Sequence, residues 1–148
     1  MKIKNVMTRT VETVRPDQTL QEAAAKMKAL DVGPMPVTEG DRLVGMLTDR
    51  DIVVRAVADG RDSRTTKVRD AMTSDVVCCN EDDSVKDAAS KMKDRQIRRI
   101  VVVDAQQRVC GIVSLGDIAV DTHDDKMSGQ VLEEVSKPSH QTAGRVTS

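Results

Sequence analysis

Two seven-residue segments hold the side chains of this sequence best suited to gripping a polar small molecule: Gly45-Met46-Leu47-Thr48-Asp49-Arg50-Asp51 and Gly111-Ile112-Val113-Ser114-Leu115-Gly116-Asp117. Both read Gly, two apolar residues, Ser or Thr, two residues, Asp. Where the apolar pair ends a strand and the hydroxyl opens a helix, unpaired N–H groups and the helix dipole favour an anion. The Asp one turn later can accept both hydrogen bonds of a vicinal diol. Phosphate beside ribose is the chemistry such a pair suits. The spacing has a second use, because Ser or Thr followed three residues later by an acid is also a helix capping box. Thr19 with Glu22 and Ser84 with Asp87 repeat it where no ligand is expected, so spacing alone leaves both uses open.

Other chemistry is poorly supplied. No nucleophile stands with a base, no His or Cys set has metal-ligand spacing, and no Gly-rich loop of the phosphate-cradling type occurs, so no catalytic activity is expected. His123 and His140 fall in an acidic turn and in the last residues, where solvation is the expectation. Arg50, between Asp49 and Asp51, is expected in a surface ion pair rather than on a phosphate. Cys78, Cys79 and Cys110 form an odd set without C-x-x-C spacing, which supports neither a disulfide framework nor a zinc site and suits small buried hydrophobes. Met7, Met27, Met35, Met46, Met72 and Met92 lie on apolar faces and are expected to fill core.

The elements that must position the two motifs come from an internal repeat. Residues 7–52 align with residues 72–118 at an offset of 65, rising to 66 after a one-residue insertion near Gln106. Val11 falls on Val76, Asp17 on Asp82, Ala23-Ala24 on Ala88-Ala89, Lys26-Met27-Lys28 on Lys91-Met92-Lys93, Gly45 on Gly111, and Asp51 on Asp117. In each copy a short strand (11–14; 76–79) precedes a helix opened by a capping box at Thr19 or Ser84. Leu20, Ala23, Ala24, Met27 and Leu30 mark one apolar face, and Val85, Ala88, Ala89 and Met92 the other. Two strands follow (35–38 and 43–47; 100–103 and 109–113), joined by turns at 39–41 and 104–107. A second helix then starts at Thr48 or Ser114, the first stopping at Gly60. The fold class is α+β, each unit running strand, helix, strand, strand, helix. A unit of about 60 residues is marginal alone, so the two are expected to pack about a pseudo-twofold axis with the cleft between them as binding site. The divisions are 1–60, a linker at 61–69, 70–122, and a C-terminal stretch 123–148 with a short helix at 128–136 ahead of Pro138.

Composition narrows the partners. Among 148 residues the formal net charge is -1 and no Phe, Tyr or Trp occurs. Nucleic acid is not expected as a partner of a chain without net positive charge or stacking platforms, and any ligand ring must lie against aliphatic walls or Met. The two halves differ modestly, with 13 Lys+Arg against 10 Asp+Glu in residues 1–69 and 10 against 14 in residues 70–148. The apolar runs are far short of the roughly 20 residues of a membrane helix, and the opening residues lack the apolar core of a signal peptide, so a cytoplasmic location is expected.

These residues resemble a known family. Val6-Met7-Thr8 and Ala71-Met72-Thr73 at the openings, Met35-Pro36-Val37 and Ile100-Val101-Val102-Val103-Asp104 in the second strands, and the two Gly-to-Asp motifs are similar to CBS domains, and the chain to a CBS pair (Bateman module) of a small stand-alone bacterial type. The resemblance implies a non-enzymatic regulatory module that binds AMP, ADP or ATP, with NAD or S-adenosylmethionine as alternatives, in the cleft between copies. Such a module acts as an energy-state or stress sensor, with no tightly bound cofactor. It implies that Asp51 and Asp117 hold ribose hydroxyls, that Thr48 and Ser114 contact phosphate or ribose, and that Thr8, Val11, Thr73 and Val76 line the adenine pockets. A basic residue ahead of the second strand often reaches phosphate in the family. Arg98 and Arg99 fill that place in copy two and Gly33-Pro34 in copy one, so the Ser114–Asp117 site is expected to bind more tightly. The family's second-strand Pro is Pro36 in copy one and Val101 in copy two. The resemblance also implies a homodimer and a regulated partner protein of unknown identity. A ligand-free dimeric docking scaffold is the alternative.

Overall fold

The computed structural model of the chain describes residues 1–122. Helix α1 (Leu20–Leu30) is followed by the antiparallel pair β1 (Met35–Glu39) and β2 (Arg42–Leu47) and by α2 (Asp49–Ile52). The second copy runs β3 (Cys78–Asn80), α3 (Val85–Arg95), β4 (Arg99–Val103), β5 (Val109–Ser114) and α4 (Leu115–Thr122). The second sheet has the order β3-β4-β5, with β3 parallel and β5 antiparallel to β4. The α+β class and the two tandem repeats stand as expected.

Both long helices start where a hydroxyl frees the chain from extended geometry. Thr19 Oγ1 accepts from the Glu22 N–H at 3.2 Å and Ser84 Oγ from the Asp87 N–H at 3.1 Å. The reciprocal half of the expected capping box is absent at both, and the Glu22 carboxylate instead accepts from the Gln18 side-chain amide at 3.2 Å. Both helices end on a left-handed residue, Asp31 (φ 53°) and Gln96 (φ 55°), which lets the last turn close on itself before the chain enters a strand. Their apolar faces bury Leu20, Ala23 and Met27, and Val85, Ala88, Ala89 and Met92. Each large aliphatic side chain so buried stabilises by about 1.5–3 kcal/mol.

Three local expectations differ from the structure. The first strand of copy one shrinks to a single parallel bridge between Val14 and Val37, and that of copy two begins only at Cys78. The helix beginning at Asp49 widens after one turn into a π-type stretch over Val53–Val57, with the Ala58 N–H donating to the Val53 carbonyl at 2.9 Å, before Gly60 (φ 73°) ends it. Val68, inside the stretch read as a linker, is fully buried. The expected helix at 128–136, His123 and His140 lie outside the described residues.

The cores explain that buried valine. One contains Val14, Leu20, Ala23, Met27, Met35, Val37 and Leu47 of the first repeat together with Val68 and Ala71 from the start of the second. The other contains Val85, Ala88, Met92, Ile100, Val102, Val113 and Ile118 of the second repeat together with Ile3, Val6 and Met7 from the start of the first. The openings are therefore exchanged. Met1 and Ile3 join the segment around Asp83–Val85 through Val85 N–H to Met1 C=O and Ile3 N–H to Asp83 C=O, both 2.9 Å. Residues Ser63 and Thr66 accept from the first N–H groups of α1 in the equivalent place, at 3.0 and 2.9 Å. The sheets also meet at their hairpins, where Leu43 N–H donates to Gln107 C=O and Val109 N–H to Asp41 C=O. The paired exchange is what a pseudo-twofold relation between the repeats requires.

Candidate ligand cleft

The exchange brings each opening to the other copy's motif. Thr8 and Ile112 trade N–H to C=O bonds at 2.8 and 3.0 Å, and Met46 and Thr73 do the same at 2.8 and 2.9 Å. The motif glycines follow from this crossing. A Cβ on Gly111 would lie 2.8 Å from the Thr8 carbonyl and 2.6 Å from Met7 Sδ. On Gly45 it would lie 3.0 Å from the Thr73 carbonyl and 2.7 Å from Met72 Sδ. The Gly of the motif is thus set by the backbone laid across it, and Met-Thr at one opening belongs with Gly of the other repeat.

At the end of the motif the hydroxyl and the acid form complete capping boxes. Ser114 Oγ accepts from Asp117 N–H at 3.1 Å while Asp117 Oδ2 accepts from Ser114 N–H at 2.9 Å. Thr48 and Asp51 repeat this at 3.0 and 2.9 Å. Capping and ligand holding are compatible in this geometry, since the box engages Oδ2 of Asp117 and orients the carboxylate. Asp51 lies 3.8 Å from Arg55, so the ion pair expected of Arg50 belongs to Arg55 instead, and the Arg50 backbone N–H donates to Asp49 Oδ1.

A cavity of about 510 Å³ opens beside Asp117. Thr8, Val11, Arg99, Ser114 and Asp117 of the expected site residues line it, drawn from the opening of the first repeat and the strand ends of the second. Pro36 and Ile112 supply aliphatic wall. Thr48, Asp51, Thr73 and Val76 do not line it; Thr48 and Asp51 stand at the start of α2 and Thr73 crosses β2 beside them. The expected division of the basic residues is corrected in part. Arg98 does not line this cavity, and Gly33 and Pro34 of the first repeat do, facing the same space as Arg99. Residues of both pre-strand segments thus line this one cavity.

Thr10, Glu12, Leu30, Asp31 and Val32 also line the cavity and were missed. The signal for Asp31 was its place just after α1, where a left-handed cap ends the helix. Glu12 is ion-paired with Lys26 at 3.2 Å, and Lys26 Nζ also donates to the Thr13 carbonyl. The thiols lie apart from the cleft. Cys79 is buried and its pKa is pushed up to about 12 by burial, while Cys110, half-buried, is pushed up to about 11 by burial and then by Glu81. Among the described residues no three His, Cys, Asp or Glu side chains are grouped to hold a metal ion, and no helix is long and apolar enough to cross a membrane.

The CBS domain family model matches residues 3–57 and 68–120. The CBS domain-containing protein YhcV of Bacillus subtilis is 46% identical over 134 residues, spanning 90% of this chain and 94% of that one. The crystal structure of hypoxic response protein I with two coordinated zinc ions superposes with a TM-score of 0.75 at 33% identity, covering 82% of this chain and 98% of that one. The CBS domain pair of protein MJ0100, solved in complex with 5′-methylthioadenosine and S-adenosyl-L-methionine, superposes with a TM-score of 0.70 at 27% identity over 83% and 96% of the two chains. The duplicated motif, the crossed openings and these matches agree that the chain belongs to the CBS-domain family, as a regulatory pair of tandem repeats.

Proposed function

We propose that the chain is a non-enzymatic sensor, placed in the cytoplasm, that binds an adenosine ligand in the cleft beside Asp117 and reports energy state or stress to a regulated partner. The observation that carries this reading is the convergence, on one cavity of about 510 Å³, of a carboxylate oriented by its own helix start, the Thr8 hydroxyl, the Arg99 guanidinium and an aliphatic wall of Val11, Pro36 and Ile112. The parts suit ribose, a phosphate group and a flat ring in turn. The complex of the MJ0100 CBS pair with adenosine compounds supports the ligand class. In the same reading Thr48, Asp51, Thr73 and Val76 form a second, pseudo-symmetric site, and Arg98 belongs to neither wall of the first. Free Cys78, Cys79 and Cys110 support the cytoplasmic placement. A thermal-shift panel of adenosine, AMP, ADP, ATP, NAD and S-adenosylmethionine tests it. A ligand at 100 times its Kd stabilises by about 2.7 kcal/mol and raises the melting temperature by several degrees. A panel in which none moves it by about one degree overturns the reading.

The exposure of Val53, Val54 and Val57 (56%, 49% and 62%) favours homodimer formation through the stretch after α2. Ile118, in the matching helix of the second repeat, is fully buried. Light scattering after gel filtration decides the assembly: a dimer has twice 16.2 kDa, and a monomer at tens of micromolar overturns it.

A further inference from the structure

The charges around the Asp117 cavity are unbalanced in a way that bears on how many phosphates it can take. Among the described residues Glu12, Asp31 and Asp117 line it, and Arg99 is the one basic residue that does. Glu12 is offset by Lys26 and Asp117 is engaged by its own helix start. Asp31 has neither kind of partner among the hydrogen bonds and ion pairs of the described residues, and its left-handed conformation closes α1 at the mouth of the cleft. Arg99 likewise has no ion-pair partner among them. One unpaired cation facing one unpaired carboxylate across a cleft leaves charge enough for one phosphate. A triphosphate brings two further phosphate groups to a cleft lined by three acids, where like charges repel over a screening length of about 8 Å. The repeat offset shows that this is a property of one cleft. The positions equivalent to Thr10, Glu12, Leu30, Asp31 and Gly33 hold Asp75, Val77, Arg95, Gln96 and Arg98, so the matching neighbourhood in the other half loses two acids, gains one, and gains two bases.

We infer that the cleft beside Asp117 selects adenosine ligands carrying no more than one phosphate, and that Asp31 enforces the limit. The inference rests on the adenosine reading above and adds to it the ligand's charge. Asp31 is well placed for a clean test, because Asn is tolerated in the left-handed cap position and removes the charge without straining the backbone.

The experiment is isothermal titration of the full chain with adenosine, AMP and ATP. The component belonging to this cleft is the one weakened by Arg99→Ala for AMP and by Asp117→Asn for all three. In that component AMP and adenosine bind at least about tenfold tighter than ATP, a difference of about 1.4 kcal/mol. Asp31→Asn raises its ATP affinity by about threefold or more and leaves adenosine within twofold. Tightest binding of ATP in that component, or an Asp31→Asn protein whose ATP affinity is unchanged, overturns the inference while leaving the adenosine reading intact. Absence of heat with every compound overturns the adenosine reading and this inference with it. A melting curve on each variant separates lost binding from lost folding; Arg99→Ala and Asp31→Asn touch neither core nor capping box.

Discussion

The two repeats reach one fold with different side chains, and the positions that agree differ in kind from those that do not. Gly45 and Gly111, Thr48 and Ser114, Asp51 and Asp117, and the left-handed ends Asp31 and Gln96 occupy matched places where backbone geometry makes the demand: a strand crossing too close for a Cβ, a helix start, a helix end. Val14 against Cys79 and Val44 against Cys110 are places where the demand is volume alone, and either side chain meets it. Gly33-Pro34 against Arg98-Arg99, and Asp31 against Gln96 in charge, are places where the scaffold asks for nothing and the cleft is free to vary. The crossing therefore sets the architecture, and the pre-strand and helix-end residues are left to set the ligand.

The strongest way to break the comparison is at the crossing. Gly111→Ala forces the Thr8 carbonyl, a backbone atom that cannot step aside alone, and should cost about 2–3 kcal/mol in urea unfolding. Gly45→Ala, where the carbonyl is 3.0 Å away, should cost less, about 1–2 kcal/mol. Equal and small losses at both would show that the openings are not held as described.

Next comes the acid of the motif. Asp117→Asn should lower adenosine affinity about tenfold, about 1.4 kcal/mol, while costing at most about 1 kcal/mol of stability through its capping box. Asp87→Asn, at a helix start whose acid caps nothing, should change neither by more than a few tenths of a kcal/mol. Calorimetry and melting curves on the pair decide it, and an Asp117→Asn protein that loses stability while keeping its affinity would reduce Asp117 to a cap.

Thr19→Ala and Ser84→Ala should each cost about 1 kcal/mol in thermal unfolding with ligand binding unchanged, since both hydroxyls serve only helix starts. Unequal costs would sharpen the comparison by showing which repeat carries more of the stability.

The smallest effect lies in the cysteines of the second repeat. Burial raises the Cys79 pKa to about 12 and the Cys110 pKa to about 11, both above the unfolded thiol, so the folded chain favours the neutral form. That contribution is complete below about pH 8.5 and is lost as pH rises toward 11 to 12. Stability should fall over that alkaline window and the fall should shrink in Cys79→Val, measured by urea midpoint; a flat profile to pH 11 contradicts the burial.

Much of this was legible in the sequence because it is local. Amphipathic spacing and hydroxyl caps located α1 and α3, and paired apolar runs located β1, β2, β4 and β5 to within a residue at each end. The first strands were less legible because strand formation depends on a partner, and Val14 finds one only at Val37. The exchange of openings could not be read at all: Val68 stands alone among polar neighbours, and nothing in its surroundings announces that it fills the other side of a core. The cleft followed the same rule. Thr8, Val11, Ser114, Asp117 and Arg99 were anticipated from motif and resemblance, whereas Glu12 and Asp31 reach the cavity only because the repeats lie face to face. Arg98 and Arg99 are adjacent in sequence, but Arg98 lies in the bend before β4 and only Arg99 lines the cavity.

The crossed openings also impose a schedule on the chain as it leaves the ribosome. When residue 60 has emerged, the first core still lacks Val68 and Ala71, and Ile3, Val6 and Met7 have nothing to fill until Val85 through Ile118 arrive. Residues 3–7 are thus buried only after the second repeat has been made, and closing the second core joins residues more than a hundred positions apart, the kind of contact that slows folding most. Each core is complete only when segments of both repeats are present, so the two halves are expected to become native together.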